Sequence, residues 1–458
     1  MTGSRGCYRR GGPLSSISIT RCAGNHFVKL SQSNDERATH KNRSLHASRR
    51  AASTLQEVRN VCTGKPFVAD FGGARAISPK PKKPLAMYPA SLTRCSAKRR
   101  PSWHWCPGGS LSKPNFHFKQ ASPSQEEFCQ LDSALDRNLF QTKPWIDFIA
   151  QTQNARPISL LLFDGDKRIG WFTGLIIRKG PFKILGSPFP GWTTPHIGFN
   201  VSPGVDLAAA IQALKTYAFE CLKCVHLEIV DCQLDFASVH EAALHCEVSQ
   251  GYELDLWKSE EELLASMHHS PRRYIRKAWR EGYVTVEESG PEGFAQDYFA
   301  QLKDVYARSS LVPTYDLNRV RVLVDCLFPT GKLLLLRARD RMGRSVATGI
   351  FPASHGVMYL WGAADRREFQ RLHVNEPLQW HAIRYWKHKG VTRYHMGGGE
   401  NYKEKYGARL TKTPWIVESK FRLIRYLRSC ALLGHALGLQ LRGLTARPQT
   451  FNDPRLSA

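Results

Sequence analysis

The dipeptide Asp164-Gly165 stands between two apolar runs, "ISLLLF" and "IGWFTGLII", and that arrangement leaves the chain few folds. Aspartate followed by glycine tolerates the positive φ of a tight turn, so the two runs should pair as an antiparallel hairpin. Ahead of it, "SALDRNLFQTKPWIDFIAQT" places Leu135, Leu139 and Phe140 at helical spacing, then starts a proline-led segment at residues 145–149. Behind it, "FKILGSPFPGWTTPHIGFN" reads as a loop of glycine, proline and aromatic residues. Residues 205–222 read as an alanine-rich helix and "CVHLEIVDC" as a buried strand. Hairpin, helix, strand is a mixed α/β order.

The order recurs further on. Ser259 is placed to cap a helix with Glu262 at the capping-box position, and a second helix starting near Pro271 carries Arg272, Arg273, Arg276, Lys277 and Arg280. "YVTVEES" reads as a strand, and "FAQDYFAQLKDVYARSS" and "LNRVRVLVDCLFPTG" as helices. "KLLLLRARDRMGRSVATGIFPASHGVMYLWGAA" supplies three strands, with turns at residues 340–343 and at His355-Gly356. A helix, "NEPLQWHAIRYWKHKG", a strand, "VTRYHM", a triple-glycine turn and a closing strand, "PWIVESKF", complete it. The predicted layout is a basic tail over 1–122, a first α/β unit over 123–250, a second over 251–428, and a terminal helix and tail over 429–458.

Charge is distributed unevenly. Residues 1–120 hold 22 Lys+Arg and 4 Asp+Glu, a net of +18, whereas the remaining 338 hold 43 and 35, a net of +8. The basic excess therefore belongs to the first segment, which has no sustained period and reads as a disordered tail or an upstream extension, Met87 being an alternative start. An Arg- and Ser-rich transit peptide and a nucleic-acid-binding arm are the other readings of the same composition. No run approaches the roughly 18 apolar residues of a membrane helix. "CALLGHALGLQLRGL" is shorter and is expected as an amphipathic helix, on the core or on a membrane surface. Of the 12 cysteines only Cys221 and Cys224 form a CxxC, with no second pair at zinc spacing. No metal and no disulfide framework are expected, and the predicted compartment is the cytoplasm.

Three stretches carry a resemblance to a known family. "SPRRYIRKAWREGYVTVE" resembles an Arg-x-x-Ile-Arg-Lys-Ala-x-x-x-Gly helix, "NEPLQWHAIRYWKHKGVTRYHMGGG" a substrate-side helix and following strand, and "NYKEKYGA" a Phe-Lys-x-x-Phe-Gly turn with tyrosine in both aromatic places. All three belong to the FemAB-like branch of the GNAT superfamily of N-acyltransferases, which includes the domain called BioF-like acetyltransferase. The similarity spans about residues 126–425 and implies a duplicated GNAT-like fold. It implies direct attack of an amine on a bound acyl donor, so no nucleophile–histidine set is required, and none is found.

Such a site needs an anion anchor, a polarised carbonyl and a route for the amine's proton. Gly397, Gly398 and Gly399, with Lys403 and Lys405, make a phosphate or carboxylate cradle of backbone N–H groups and point charges. Lys403 is expected as an exposed lysine and the chief contact, with Lys405 the milder neighbour. Arg273, Arg276 and Lys277 share a helix face, either as a second anion contact or as a solvated row. The resemblance adds Asn375, at the head of the substrate-side helix. His395, Glu376 and Tyr406 are the candidate catalytic groups, with His373 a further proton carrier, while Trp361, Trp380 and Trp386 are expected in the core. One departure bears on the donor. Where acetyl-CoA-dependent relatives open a helix with a glycine-containing loop, this chain reads "RREFQRLHVNEP", without glycine.

The expected function is N-acyl transfer to an amine of a cell-envelope or polysaccharide precursor or a small molecule, from acyl-CoA or, alternatively, from aminoacyl-tRNA as in FemAB-type peptidoglycan transferases. The reading from another class is a non-catalytic basic nucleic-acid-binding protein, although no stable DNA partner is expected of the folded part.

Overall fold

The computed structural model describes residues 114–121, 137–309, 311–399 and 401–445. Residues 1–113, most of the expected basic tail, and 446–458 lie outside the described residues.

The amino-terminal strands are β1 (Phe116–Ala121), β2 (Arg156–Asp164), β3 (Lys167–Lys179), β4 (Phe182–Ser187), β5 (Phe199–Val201) and β6 (His226–Val230). The helices among them are α1 (Lys143–Gln153), α2 (Leu207–Glu220) and α3 (Phe236–Glu241). The expected hairpin forms: Asp164 pairs with Lys167, and Gly165 turns the chain at φ 56. Asp206 and Asp235 cap α2 and α3 by accepting from Ala209 N and Ser238 N.

After β7 (Cys246–Asp255) come α4 (Glu260–Ser266), α5 (His269–Glu281), β8 (Val284–Glu288), α6 (Phe294–Ala307) and α7 (Leu317–Leu327). The Ser259–Glu262 capping box closes reciprocally at the head of α4. Then follow β9 (Leu333–Asp340), β10 (Ser345–Ser354), β11 (Val357–Tyr359), β12 (Gly362–Asp365), α8 (Asn375–His388), β13 (Arg393–His395), β14 (Arg409–Ser419) and α9 (Arg422–Thr445). The expected α/β class is borne out.

All strands among the described residues join one 14-stranded sheet in the order β1-β2-β3-β4-β6-β14-β7-β13-β11-β10-β9-β8, with β5 on β3 and β12 on β10. Two neighbours are parallel, β4 with β6 and β11 with β13. Beside each parallel pair lies a strand from the other half of the folded chain. β14 covers β6, β7 covers β13, and β7 and β14 pair with each other from Cys246–Ile416 to Glu253–Arg409. The crossing shows in the cores. Ile416 of β14 is fully buried among residues of the amino-terminal half, and a second core mixes Phe140, Trp145 and Trp192 with Tyr298, Val320 and Tyr359.

Several expectations are corrected here. The expected tail reaches residue 122, yet it contains β1, because Phe118 packs 6.4 Å from Phe199 and 5.9 Å from Tyr217, ring to ring. The boundary expected at 250/251 falls inside β7. The stretch expected as a loop from Phe182 contains β4 and β5, the three strands after residue 332 are four, and residues 139–141 form a 3-10 turn capped by Asn138 in place of a longer helix. The closing strand starts at Arg409, since residues 409–413 already pair with β7.

Replacing Ile416 with alanine should lower unfolding stability by about 2–4 kcal/mol, the usual cost of emptying a fully buried isoleucine site. Denaturant titration should show the loss in a single transition for the whole sheet. A chain starting at residue 125 should melt below one starting at residue 114, because it lacks β1 and the buried Phe118.

Candidate active site

The triple-glycine turn is stitched to β7 before it does anything else. Met396 N donates to Tyr252 O at 2.8 Å and Tyr252 N to Gly397 O at 3.1 Å, extending the β13–β7 pairing into the turn. Gly397 and Gly399 hold φ of 73 and 99, and a Cβ on Gly398 would lie 2.8 Å from the Gln250 carbonyl oxygen. Glycine is thus required by backbone conformation at two positions and by close approach at the third.

A 3-10 turn, Asn401–Tyr406, folds back beneath it. The expectation that Lys403 is exposed is corrected: it is 6% exposed, and its Nζ donates to the Gly398 carbonyl. A buried ammonium needs acceptors, and this one braces the turn. Lys405 is half-buried and pairs with the buried Glu376 carboxylate, Nζ to Oε1 at 2.9 Å. Its ammonium sits 5.1 Å from the Tyr406 ring. Burial, reinforced by Glu376, pushes the Tyr406 phenol well above its usual range, so it is a hydrogen-bond donor at any physiological pH.

These groups line a cavity of about 940 Å³ with walls from both halves of the chain. One wall is the turn, Lys403, Lys405, Glu376, Asn375 and His373. The facing wall is the segment 188–196, an aromatic and proline-rich stretch held by Trp145 Nε1 donating to Thr194 Oγ1 at 3.1 Å and by Arg319 Nη2 donating to Thr193 Oγ1 at 3.2 Å. At the end of that wall His196 meets His395 edge to face with ring centroids 6.3 Å apart, and Tyr359 stands 5.8 Å from His395. The His395 Nδ1 accepts from Gly397 N at 3.2 Å, which places its proton on Nε2. Gly251 makes room for that ring, since a Cβ there would lie 2.8 Å from Nε2.

Both histidines are held neutral. Burial, then Lys403 and Arg393, bring His395 down to about 4; burial, then His395 and Arg393, bring His196 down to about 3.

Of the groups singled out in the sequence, the fold gathers His395, Glu376, Tyr406, Lys403, Lys405, Gly397, Gly398, Asn375 and His373 around this cavity. Gly399 shapes the turn without lining it. Arg273, Arg276 and Lys277 lie elsewhere, along a shallow groove of about 440 Å³ on the exposed face of α5. His196, Gly251 and the 188–196 wall were missed, although "SPFPGWTTPH" was conspicuous as a proline-aromatic stretch. Nothing local tied it to residues two hundred positions away. Trp380 and Trp386 sit in the core as expected, while Trp361 is buried but also lines the cavity.

Lys405→Met should cost about 2–3 kcal/mol of stability by stranding the Glu376 carboxylate, less than for a fully buried pair because lysine reaches solvent. Adding Glu376→Gln should recover more than half of that loss in a double-mutant cycle. Lys403→Ala should destabilise by about 1–3 kcal/mol, measured by denaturant titration, through the unmet Gly398 carbonyl. The histidines add a pH dependence. Their folded values lie below the ordinary 6.5, so the unfolded chain binds more protons, and stability should fall as pH drops from about 6.5 towards 4. Melting curves should show that slope, reduced in a His196→Gln/His395→Gln variant.

Residues 265–406 match the family model for the acetyltransferase (GNAT) domain. No curated protein sequence matches the chain. Among solved structures, FemX is similar at 15% identity and TM-score 0.53, covering 65% of this chain and 97% of its own. A tandem GNAT protein from the clavulanic acid biosynthesis pathway aligns at 12% identity and TM-score 0.41, over 66% and 97%. The L-PGS of Bacillus licheniformis aligns at 12% identity and TM-score 0.38, over 60% and 91%. No helix among the described residues is long and apolar enough to cross a membrane. The fold is thus FemX-like, and the glycine turn, Glu376 and His395 lie within the residues that match the acetyltransferase (GNAT) domain model.

Proposed function

We propose that the chain is an N-acyltransferase that binds its amine acceptor between His196 and His395 and its acyl donor along the glycine turn and the head of α8. The observation that carries this reading is the pair of facing histidines, both kept unprotonated in a cavity built by a GNAT-type domain and its partner half. An amine attacks only as the free base. The same burial and the same cations, Lys403 and Arg393, that deprotonate the imidazoles disfavour an ammonium between them. The acceptor is held in its nucleophilic form without a strong base.

The remaining roles follow from which atoms are free. Glu376 is committed to Lys405, and the Nδ1 of His395 to Gly397, so neither is a ready proton acceptor as expected from sequence alone. The Nε2–H of His395 and the Tyr406 phenol are donors, suited to a developing oxyanion and to a leaving group. His196 has no hydrogen-bond partner among the described residues, which leaves its ring to accept a hydrogen bond from the attacking N–H and aim the amine, while the proton lost after attack ends on the donor's leaving group.

The donor supplies the activated acyl group. An acyl-CoA fits in part: α8 lacks a side-chain cap, its first turn lines the cavity, and the Oδ1 of Asn375 is buried without a partner, an acceptor awaiting an N–H. The loop glycines are missing, and His373 instead takes the left-handed turn at φ 50. Aminoacyl-tRNA is the second reading for the donor, favoured by the basic groove on α5, where Arg272, Arg273, Arg276, Lys277 and Arg280 line one exposed face. An envelope or polysaccharide precursor amine, or a smaller amine, is the acceptor class, and the cytoplasm is the proposed compartment.

Purified protein should acylate members of a panel of amino sugars and small amines from acetyl-CoA. Its kcat should be flat between about pH 6 and 9, with the amine's own ionisation confined to KM. A kcat that falls with the solution pKa of the amine would refute the histidine argument. Turnover from aminoacyl-tRNA alone would select the second donor. Salt-sensitive RNA binding without turnover would return the chain to the nucleic-acid-binding class. His196→Gln should lower kcat by about 10²–10⁴-fold.

A further inference from the structure

The last helix is attached to the body along one side only. Arg428 donates from Nε to Glu228 Oε1 at 2.8 Å and from Nη1 to Glu247 Oε1 at 2.7 Å, and its guanidinium lies 5.2 Å from the Trp415 ring. Ile424, one turn earlier, is half-buried, so residues 424 and 428 form the row that meets the protein. The opposite row, at i, i+3, i+4 and i+7, is Leu423, Tyr426, Leu427 and Cys430, all exposed. Leu423 is 65% and Tyr426 68% exposed. Phe421 and Leu432 extend the surface, so five of the 12 exposed large hydrophobic residues among the described ones fall within residues 421–432. The ion pairs of Arg428 set this rotation: the row of Ile424 and Arg428 is anchored and the row of Leu423, Tyr426 and Leu427 faces away.

Charge narrows what can cover that row. From Lys420 to Thr445 the chain carries Lys420, Arg422, Arg425, Arg428 and Arg442, and no aspartate or glutamate. Arg422 and Arg425 are exposed beside the apolar row. A second copy would oppose one basic helix to another with no acid in either. The first 120 residues of the chain, at a net +18, carry the same sign.

We propose that α9 seats the protein on an anionic lipid surface. Leu423, Tyr426 and Leu427 enter the interfacial layer, and Arg422 and Arg425 meet headgroup phosphates. An interfacial helix wants one apolar face beside basic groups, and anionic lipid offers both partners at once. The helix is roughly 36 Å long from its 24 residues, and it lies along the surface without spanning it.

Full-length protein should co-sediment with vesicles of phosphatidylcholine containing roughly 30% phosphatidylglycerol at least about tenfold more tightly than with phosphatidylcholine alone. Leu423→Glu/Tyr426→Glu/Leu427→Glu should cut that binding at least about tenfold with an unchanged melting curve, and the milder Leu423→Ser/Tyr426→Ser should weaken it if the first variant folds poorly. Arg422→Glu/Arg425→Glu should abolish the preference for the anionic vesicles. No vesicle binding by the parent protein would overturn the proposal. So would unchanged binding by the apolar variants, which would place the contact in the basic amino-terminal residues. A dimer in sedimentation velocity that these substitutions dissolve, without vesicle binding, would assign the row to a second copy.

Discussion

Everything in this molecule hangs on the pairing of β7 with β14. Without these two strands, β6 and β13 would each present an open sheet edge, with a row of unmet backbone groups. Each half instead closes the other's edge with a strand from the far end of its own segment, and the two covering strands pair in the middle. Neither half keeps a complete sheet alone. The exchange also decides where the site lies. β7 carries Gln250 and Gly251 under the glycine turn, β14 carries Thr411 and Trp415 to the same cavity, and the 188–196 wall is drawn over both.

The cavity that results is lined by Arg308, Lys403 and Lys405 against Asp365 and Glu376, a small excess of positive charge. Every charge admitted to it is answered: Lys405 by Glu376, Lys403 by the Gly398 carbonyl among its contacts, and Arg308 by Asp365 at 3.2 Å. Burial first, and the nearby cations after it, hold both histidines far below 6.5. In the proposed reaction a free amine is favoured for the same reason a free imidazole is. Chemistry that needs a neutral nucleophile is thereby served by the environment as a whole, and no single side chain has to act as a strong base.

Much of the fold was legible locally. The Asp164-Gly165 hairpin, the Ser259–Glu262 box, the helix at 375–388 and the triple-glycine turn each depend on residues within a few positions of one another. What escaped was non-local. β1 is a strand because Phe118 finds Phe199 and Tyr217, and the closing strand is long because β7 lies beside residues 409–413. The two lysines of "NYKEKYG" show the same limit at the site: spacing marked both as anion contacts, while burial gives one to a backbone carbonyl and the other to a carboxylate. His196 could not be read at all, since only the strand exchange brings it opposite His395.

The most direct test is a crystal structure of the full chain with a non-transferable ketone analogue of an acyl thioester. The account places the phosphates against the first turn of α8 and Gly397-Gly398, and the ketone oxygen within hydrogen-bond reach of the Nε2–H of His395, on the side facing His196. Density for the analogue along the outer basic face of α5, with the cavity left to solvent, would contradict it.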